Sequence, residues 1–279
     1  MKKLVIIDLN NFIYRAFFGI QQPLKTPEGV LVNAVYGTFN MIHRIMTEIK
    51  PDYIVAALDS KTSKRKEEYA DYKSTRSKMP DDLRHQIPMI HELIKSMGIQ
   101  TVVEEGLEAD DLICTICKKE EVNFDRIFIA SGDKDLMQLV NEKVFIYDSM
   151  KQIIYERANV IEKFGVAPEQ IVDYLSIVGD SSDCIPGVKG IGEKGAVKLL
   201  SQYGSLDNIY NNLSEISPAG LKDKLTNGRD SAFLSQNLAK LRMANSKPEL
   251  LPFVLDKEKA KETLSKWNMK SAINKINEV

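Results

Sequence analysis

Nine carboxylates fall at positions where a folded chain could gather them: Asp8, Asp59, Glu108, Asp110, Asp111, Asp133, Asp135, Asp180 and Asp183. They come singly at the ends of apolar runs, or in the tight groups GLEADD, SGDKD and GDSSD. Like charges this dense repel one another unless a cation sits among them. An all-oxygen donor set suits hard Mg2+, with Mn2+ able to substitute, and no neighbouring His or Cys group suggests zinc. So many carboxylates fit two ions. Such a pair can activate a water, orient a phosphate and stabilise a leaving 3′ oxygen in an in-line displacement, which is phosphodiester hydrolysis.

The elements that must position these groups are legible as short Val/Ile-rich runs at Leu4–Ile7, Tyr53–Leu58, Ile99–Val103, Arg126–Ala130 and Val144–Tyr147, each read as a buried strand. Helical patterns separate them at Ala34–Ile49, Asp82–Met97, Ala109–Lys118 and Lys134–Val140. The alternation predicts an α/β fold, a mostly parallel sheet flanked by helices. Ligands bind at the carboxyl ends of such strands, where Asp8, Asp59 and Asp133 stand. A single Asp there is explained as well by capping the next helix; three in one sheet favour chemistry. Glu108 and Asp111 share a face at a helix start.

Beyond about Asn159 the strand signal stops and helices take over at Pro168–Val178, Gly192–Tyr203 and Ser231–Met243. The expected organisation is a core over 1–165, a helix-hairpin-helix region over 166–205 and a helical tail over 206–279 packed back on the core. In the tail, Leu264, Trp267, Met269 and Ile273 read as one buried helix.

Two segments could meet nucleic acid. Residues 61–80 carry seven basic side chains, Lys61, Lys64, Arg65, Lys66, Lys73, Arg76 and Lys78, against three acidic ones. This predicts an exposed, mobile clamp, extending with the next helix to about 61–95. Most charge runs are only solvated loops, but Tyr69 and Tyr72 among the cations offer rings for bases to stack on. Lys73 and Arg76, three apart, could act as electrophiles on the scissile phosphate. In CIPGVKGIGEKGA, Gly187, Gly190 and Gly192 would let backbone N–H groups approach a phosphate, with Lys189 and Lys194 beside them. Alone, that glycine spacing is a weak signal, often just a turn.

A net charge of −1 looks wrong for a DNA binder. With the nine carboxylates set aside, however, 38 basic residues face 30 acidic ones. Cys114, Cys117 and Cys184 are too few for a disulfide framework, and Cys114 and Cys117 lie within an apolar helical pattern without a second ligand pair. No signal peptide or membrane span is evident, so a cytoplasmic protein is expected.

Together these motifs resemble the bacterial and phage 5′ nuclease family: the 5′-to-3′ exonuclease domain of DNA polymerase I and the related flap endonucleases. The resemblance rests on Asp8 with Tyr14-Arg15-Ala16-Phe17, Asp59, Tyr72-Lys73-x-x-Arg76, Met79-Pro80-x-x-Leu83-Arg84, GLEADD, SGDKDLMQL and GDSSDCIPGVKGIGEKGA. It implies a PIN-like core and two metal sites. One is nearer Asp8, Asp59, Glu108 and Asp110; the other is nearer Asp111, Asp133, Asp135, Asp180 and Asp183. It also implies a K+ ion held by main-chain carbonyls of Ile177, Val178, Pro186, Val188 and Ile191. The implied substrates are DNA with a 5′ flap, nick or overhang, or an RNA primer on DNA. A DNA polymerase, fused or separate, is an implied partner, and the nuclease is expected to be a monomer.

Three positions depart from the family pattern: Leu9 where Gly is usual, Cys184 where Asn is usual and Gly195 where Thr or Ser is usual. A catalytically silent DNA-junction binder remains the alternative. A haloacid-dehalogenase-type phosphatase would want Asp-x-Asp where Asp8-Leu9-Asn10 stands. A toprim-like enzyme explains neither Asp8 nor the hairpin, and a PIN-type ribonuclease leaves the hairpin and clamp without a use.

Overall fold

The five apolar runs form strands β1 (Lys3–Asp8), β2 (Tyr53–Ala57), β3 (Gln100–Val102), β4 (Arg126–Ala130) and β5 (Val144–Asp148), paired in parallel. A sixth, β6 (Ile153–Tyr155), runs antiparallel to β5 and closes one edge. The computed structural model describes residues 1–20, 22–245 and 247–279. The strand order is β3-β2-β1-β4-β5-β6. The chain thus winds outward in both directions from β1, and the crevice between the carboxyl ends of β1 and β4 is a switch point, where open α/β sheets bind ligands.

Alternation along the strands divides the interior into two layers. Leu4 and Ile6 of β1, Val55 and Ala57 of β2, and Ile127 and Ile129 of β4 face one core. Val5, Ile7, Ile54, Ala56, Phe128 and Ala130 face the other. Both faces of a parallel sheet must be covered, which is why its strands read as unbroken apolar runs. Helices Ala109–Glu120, Ile171–Val178, Glu193–Tyr203 and Arg229–Ala239 cover the first face. Leu9–Gly19, Asn33–Arg44, Asp81–Ser96, Lys257–Lys266 and Lys270–Glu278 cover the second.

Several expectations are corrected. The helix expected over Ala34–Ile49 ends in a wider turn at Ile45–Ile49, closed by Lys50 in the left-handed region. The helix expected over Lys134–Val140 is a single 3-10 turn, Asp135–Leu139. Its first residue is held beside Asp133, whose Oδ1 accepts the Asp135 N–H at 2.9 Å.

The region after Leu206 does not behave as one tail. Residues up to Ala239 pack with the hairpin helices, whereas Lys257–Glu278 lies on the opposite face. The extended stretch between them passes the amino ends of the strands, where Phe253 N–H bonds Asp52 O. The last segment is two helices, broken where Asn268 takes a positive φ of 52°. Leu264 is fully buried, but Trp267 only partly. No helix among the described residues is long and apolar enough to cross a membrane.

Candidate metal centre and nucleic-acid interface

Asp8 serves both the fold and the site. Its Oδ1 caps helix Leu9–Gly19 by accepting Asn11 N–H at 3.1 Å, while its Oδ2 accepts Ser131 Oγ at 2.7 Å across the switch point. Ser131 Oγ in turn accepts Asp133 N–H at 3.0 Å. Asp59, just past β2, accepts Ala109 N–H at 2.8 Å and so caps the neighbouring helix; Asn10 donates to its other oxygen at 2.5 Å. These caps hold the carboxylates along the sheet's upper edge. Leu9 explains its own departure: it is fully buried in the second core.

Asp135, Asp180 and Asp183 converge with oxygen atoms all within 4.8 Å of one another. Asp135 Oδ1 is buried and has no hydrogen-bond partner. A partnerless anionic oxygen among other carboxylates is costly in a protein interior unless a cation or a proton meets it.

The electrostatics carry that strain. Burial first, then the charges of Asp133, Asp183 and Asp180, push Asp135 up to about 8. Burial lifts Asp8 to about 7 despite the opposing Ser131 hydrogen bond, with Asp133 and Asp59 adding to the rise. Asp110 is raised well above the usual range by burial, then by Asp133 and Asp8, and Asp133 is raised by burial and Asp183. Asp180 and Glu108 go the other way. Burial opposes both shifts, but Ser182 and Lys134 lower Asp180, and Lys73, Ser63 and Arg65 lower Glu108. Carboxylates raised chiefly by burial and further by one another's charge, offering only oxygen donors, suit hard divalent cations.

Three cations rim the acids. Lys73 Nζ lies 2.7 Å from Glu108 Oε2 and 3.7 Å from Asp183 Oδ2. Arg76 bonds Asp183 Oδ1 at 2.7 Å, and Lys134 lies 3.0 Å from Asp180 Oδ1. Lys134 and Ser131 escaped the sequence reading, although both sit inside the SGDKD motif. Arg15 also escaped it as a site residue. It bonds Asp148 at 2.8 Å and packs so closely on Gly132 that a Cβ there would lie 2.3 Å from the guanidinium.

Asp111 does not join the cluster. Arg65 binds both its oxygens at 2.7 Å, Oδ1 also accepts Arg242 N–H at 2.8 Å, and Asp111 is 1 % exposed. The spacing that put Glu108 and Asp111 on one face assumed both lie within the helix. Glu108 instead has extended backbone as the N-cap residue, and Arg65, 3.6 Å from Glu108, makes its bidentate contact with Asp111.

The clamp is correspondingly less free than expected. Residues 64–68 form a helical turn, and Arg65 is 3 % exposed rather than solvated. Tyr72, expected to offer its ring to a base, is buried with its hydroxyl donating to Glu108 at 3.1 Å. The exposed cations of the segment are Lys61, Lys64, Lys66, Arg76 and Lys78.

In the hairpin, Gly187 has φ 65° and a Cβ there would come within 2.5 Å of Gly179 N, so two backbone strands touch. Val188 N–H bonds Ile177 O at 2.7 Å, and an antiparallel pair links Asp180 with Ile185. Ser235 Oγ accepts Gly187 N–H at 2.9 Å and Ser231 donates to Gly187 O at 2.7 Å, tying the turn to helix Arg229–Ala239. Lys189, Gly190, Gly192 and Lys194 are exposed, with Gly192 the residue before helix Glu193–Tyr203. Of the carbonyls named for K+, Ile177 O and Val188 O already accept one N–H each, from Val188 and Ile191, which leaves each a second lone pair.

A mostly parallel α/β sheet with an acidic cleft at its switch point and a glycine hairpin beside it defines a PIN-like nuclease. The sequence models of the 5′-3′ exonuclease N-terminal resolvase-like domain and C-terminal SAM fold match residues 3–165 and 166–262, and the chain belongs to the 5′-3′ exonuclease family. A 5′-3′ exonuclease of Aquifex aeolicus is 37% identical over 287 residues, spanning 100% of this chain and 96% of its own. DNA polymerase I of Caldicellulosiruptor bescii is 40% identical over 285 residues, covering 98% of this chain. This chain spans 33% of that polymerase's length. The fold matches the flap endonuclease of bacteriophage T5, solved as a pseudo-enzyme-product complex with DNA and metal ions, with TM-score 0.74 and 18% identity over 99% of this chain and 97% of that one.

Proposed function

We propose that this chain is a structure-specific 5′ nuclease, a 5′-to-3′ exonuclease and flap endonuclease that cuts DNA near the junction of single strand and duplex. The observation that carries the reading is the partnerless Asp135 oxygen among Asp180 and Asp183, at the switch point of a sheet whose family members are nucleases. Eight carboxylates, Asp8, Asp59, Glu108, Asp110, Asp133, Asp135, Asp180 and Asp183, hold two Mg2+ ions or their Mn2+ substitutes. Asp111 is left out because Arg65 occupies it.

When bound, the ions supply Lewis acidity to the attacking water and the scissile phosphate. The chain does the rest. Lys73 and Arg76, which pair with Glu108 and Asp183, would be freed to meet the phosphate as electrophiles if bound cations took over those carboxylates. The hairpin, with Gly187, Lys189, Gly190, Gly192 and Lys194, grips duplex backbone without reading sequence, aided by K+ among the carbonyls of Ile177, Val178, Pro186, Val188 and Ile191. On this reading residues 1–165 supply most of the catalytic centre, and 166–205 bind duplex while adding Asp180 and Asp183 to the metal cluster. The substrates are DNA with a 5′ flap, nick or overhang, including RNA-primed ends, as met in replication and repair, and the nuclease acts as a monomer in the cytoplasm alongside a DNA polymerase.

The test is a 5′-flap duplex and a nicked duplex, labelled at either end of the cleavable strand, incubated with Mg2+ or with EDTA. Cleavage at the junction or 5′ end that EDTA abolishes is the expected result. Tight metal-dependent binding without products would instead make the chain a silent junction binder.

A further inference from the structure

Arg65 is the most completely engaged cation in the protein's interior. Its guanidinium makes two bonds of 2.7 Å to Asp111, one of 3.0 Å from Nε to Leu238 O and one of 2.9 Å to Lys240 O, and it lies 3.6 Å from Glu108 Oε2. A buried ion pair of this kind confers little stability over a well-packed apolar pair. What a planar, bidentate guanidinium does confer is fixed geometry.

The parts it fixes are the ones the reaction needs aligned. Two residues before Arg65, Ser63 Oγ donates to Glu108 at 2.6 Å. Glu108 also receives the Tyr72 hydroxyl and the Lys73 ammonium. On the other side, Leu238 and Lys240 end helix Arg229–Ala239, the helix whose Ser231 and Ser235 hold both backbone polar groups of Gly187 in the hairpin. One helix and one guanidinium therefore connect the duplex-gripping turn to the base of the clamp. A second layer, Arg242 with Glu68 and Asn237, braces the same joint from outside.

We propose that Arg65, through Asp111 and the end of helix Arg229–Ala239, is a positioning residue that transmits duplex engagement at the hairpin to the placement of Lys73 and Glu108. It makes cutting conditional on duplex. The idea rests on the nuclease reading above. Lysine at this position keeps the charge but cannot make the four bonds at once, so charge and geometry can be separated.

The experiment measures single-turnover cleavage at saturating protein on two 5′-flap substrates, one with duplex long enough to reach the hairpin and one too short. Affinity is measured in parallel with Ca2+ in place of Mg2+. For the unaltered protein, the longer duplex should raise both the affinity and the cleavage rate, the rate by up to about a hundredfold, as expected when a reacting group is better placed. Arg65→Lys should keep the gain in affinity and lose most of the gain in rate. A merely structural role would lower both on both substrates.

If Arg65→Lys melts out of the folded state, Ser231→Ala/Ser235→Ala interrupts the same connection at its far end and should show the same loss of rate gain. A variant that retains the full gain, or an unaltered protein whose rate ignores duplex length, overturns the proposal. Failure of the unaltered protein to cut either substrate would overturn the nuclease reading instead.

Discussion

Lys73 Nζ sits 2.7 Å from Glu108 Oε2, so the cation proposed to act on a phosphate pairs with a carboxylate proposed to hold a metal. Lys73→Ala should slow single-turnover cleavage by about 10²- to 10³-fold, the usual effect of removing one electrophilic contact, with a smaller change in duplex affinity. An equal loss in both would make Lys73 a binding residue only.

Stability should depend on pH in a direction set by the acidic cluster. Asp8 at about 7 and Asp135 at about 8 are raised above the ordinary 3.8, chiefly by burial. The folded chain therefore holds protons that the unfolded chain has released. In EDTA, stability contributed at low pH should fall as pH rises from about 4 to about 8, because the native state binds more protons over that window. Mg2+ should restore more of the melting temperature at about pH 8 than at about pH 5. Thermal melts at both pH values, with and without Mg2+, check the sign.

Asp135→Asn and Asp111→Asn should separate metal binding from structure. The first removes charge from the Asp135, Asp180 and Asp183 cluster and should weaken Mg2+ binding, followed by calorimetry, while leaving the melting temperature in EDTA unchanged or higher. The second takes from Arg65 its bidentate partner, leaving Glu108 at 3.6 Å, and should destabilise the protein by about 3–5 kcal/mol, with Mg2+ affinity of the remaining folded protein close to that of the unaltered chain.

Gly187→Ala should disrupt the hairpin. The new Cβ would lie 2.5 Å from Gly179 N, a backbone atom with nowhere to go, at a φ of 65°. Duplex affinity at fixed salt should fall, with stability reduced by at least about 1–3 kcal/mol.

Gly195→Thr bears on a family departure. A hydroxyl near the hairpin should tighten duplex binding, but the added Cβ meets Ile191 Cγ2 at 2.9 Å. Ile191 is a buried hairpin residue, so the substitution should shift it and cancel the gain. Binding that tightens at fixed salt would show that Ile191 yields freely.

How far the site could be read ahead depended on which physical rule governed each residue. Asp8, Asp59 and Asp133 were legible because a polar residue ending a buried strand must lie on the sheet's edge. Asp135, Asp180 and Asp183 were legible as dense charge. The joint of Arg65 with Asp111 was not, because a basic residue in a basic run reads as solvated and nothing local shows which carboxylate will bury it. Tyr72 was misplaced because nothing local shows that its hydroxyl finds Glu108 in the interior. Cys184 takes φ 57°, a region an Asn adopts more readily, so the family's usual residue there has a backbone reason as well.

What the amino-acid sequence determined by itself was the periodicity of the strands, hence the parallel sheet and its functional edge, together with the stock of carboxylates and the glycine turn. These follow from rules acting over a few residues. The tertiary structure alone decided which carboxylates converge, which of them a guanidinium occupies, and that the chain's last helices cover the face opposite the hairpin. Those outcomes come from pairings between residues far apart in the chain, such as Arg65 with Leu238, where close packing and the cost of a buried unpaired charge select a single partner.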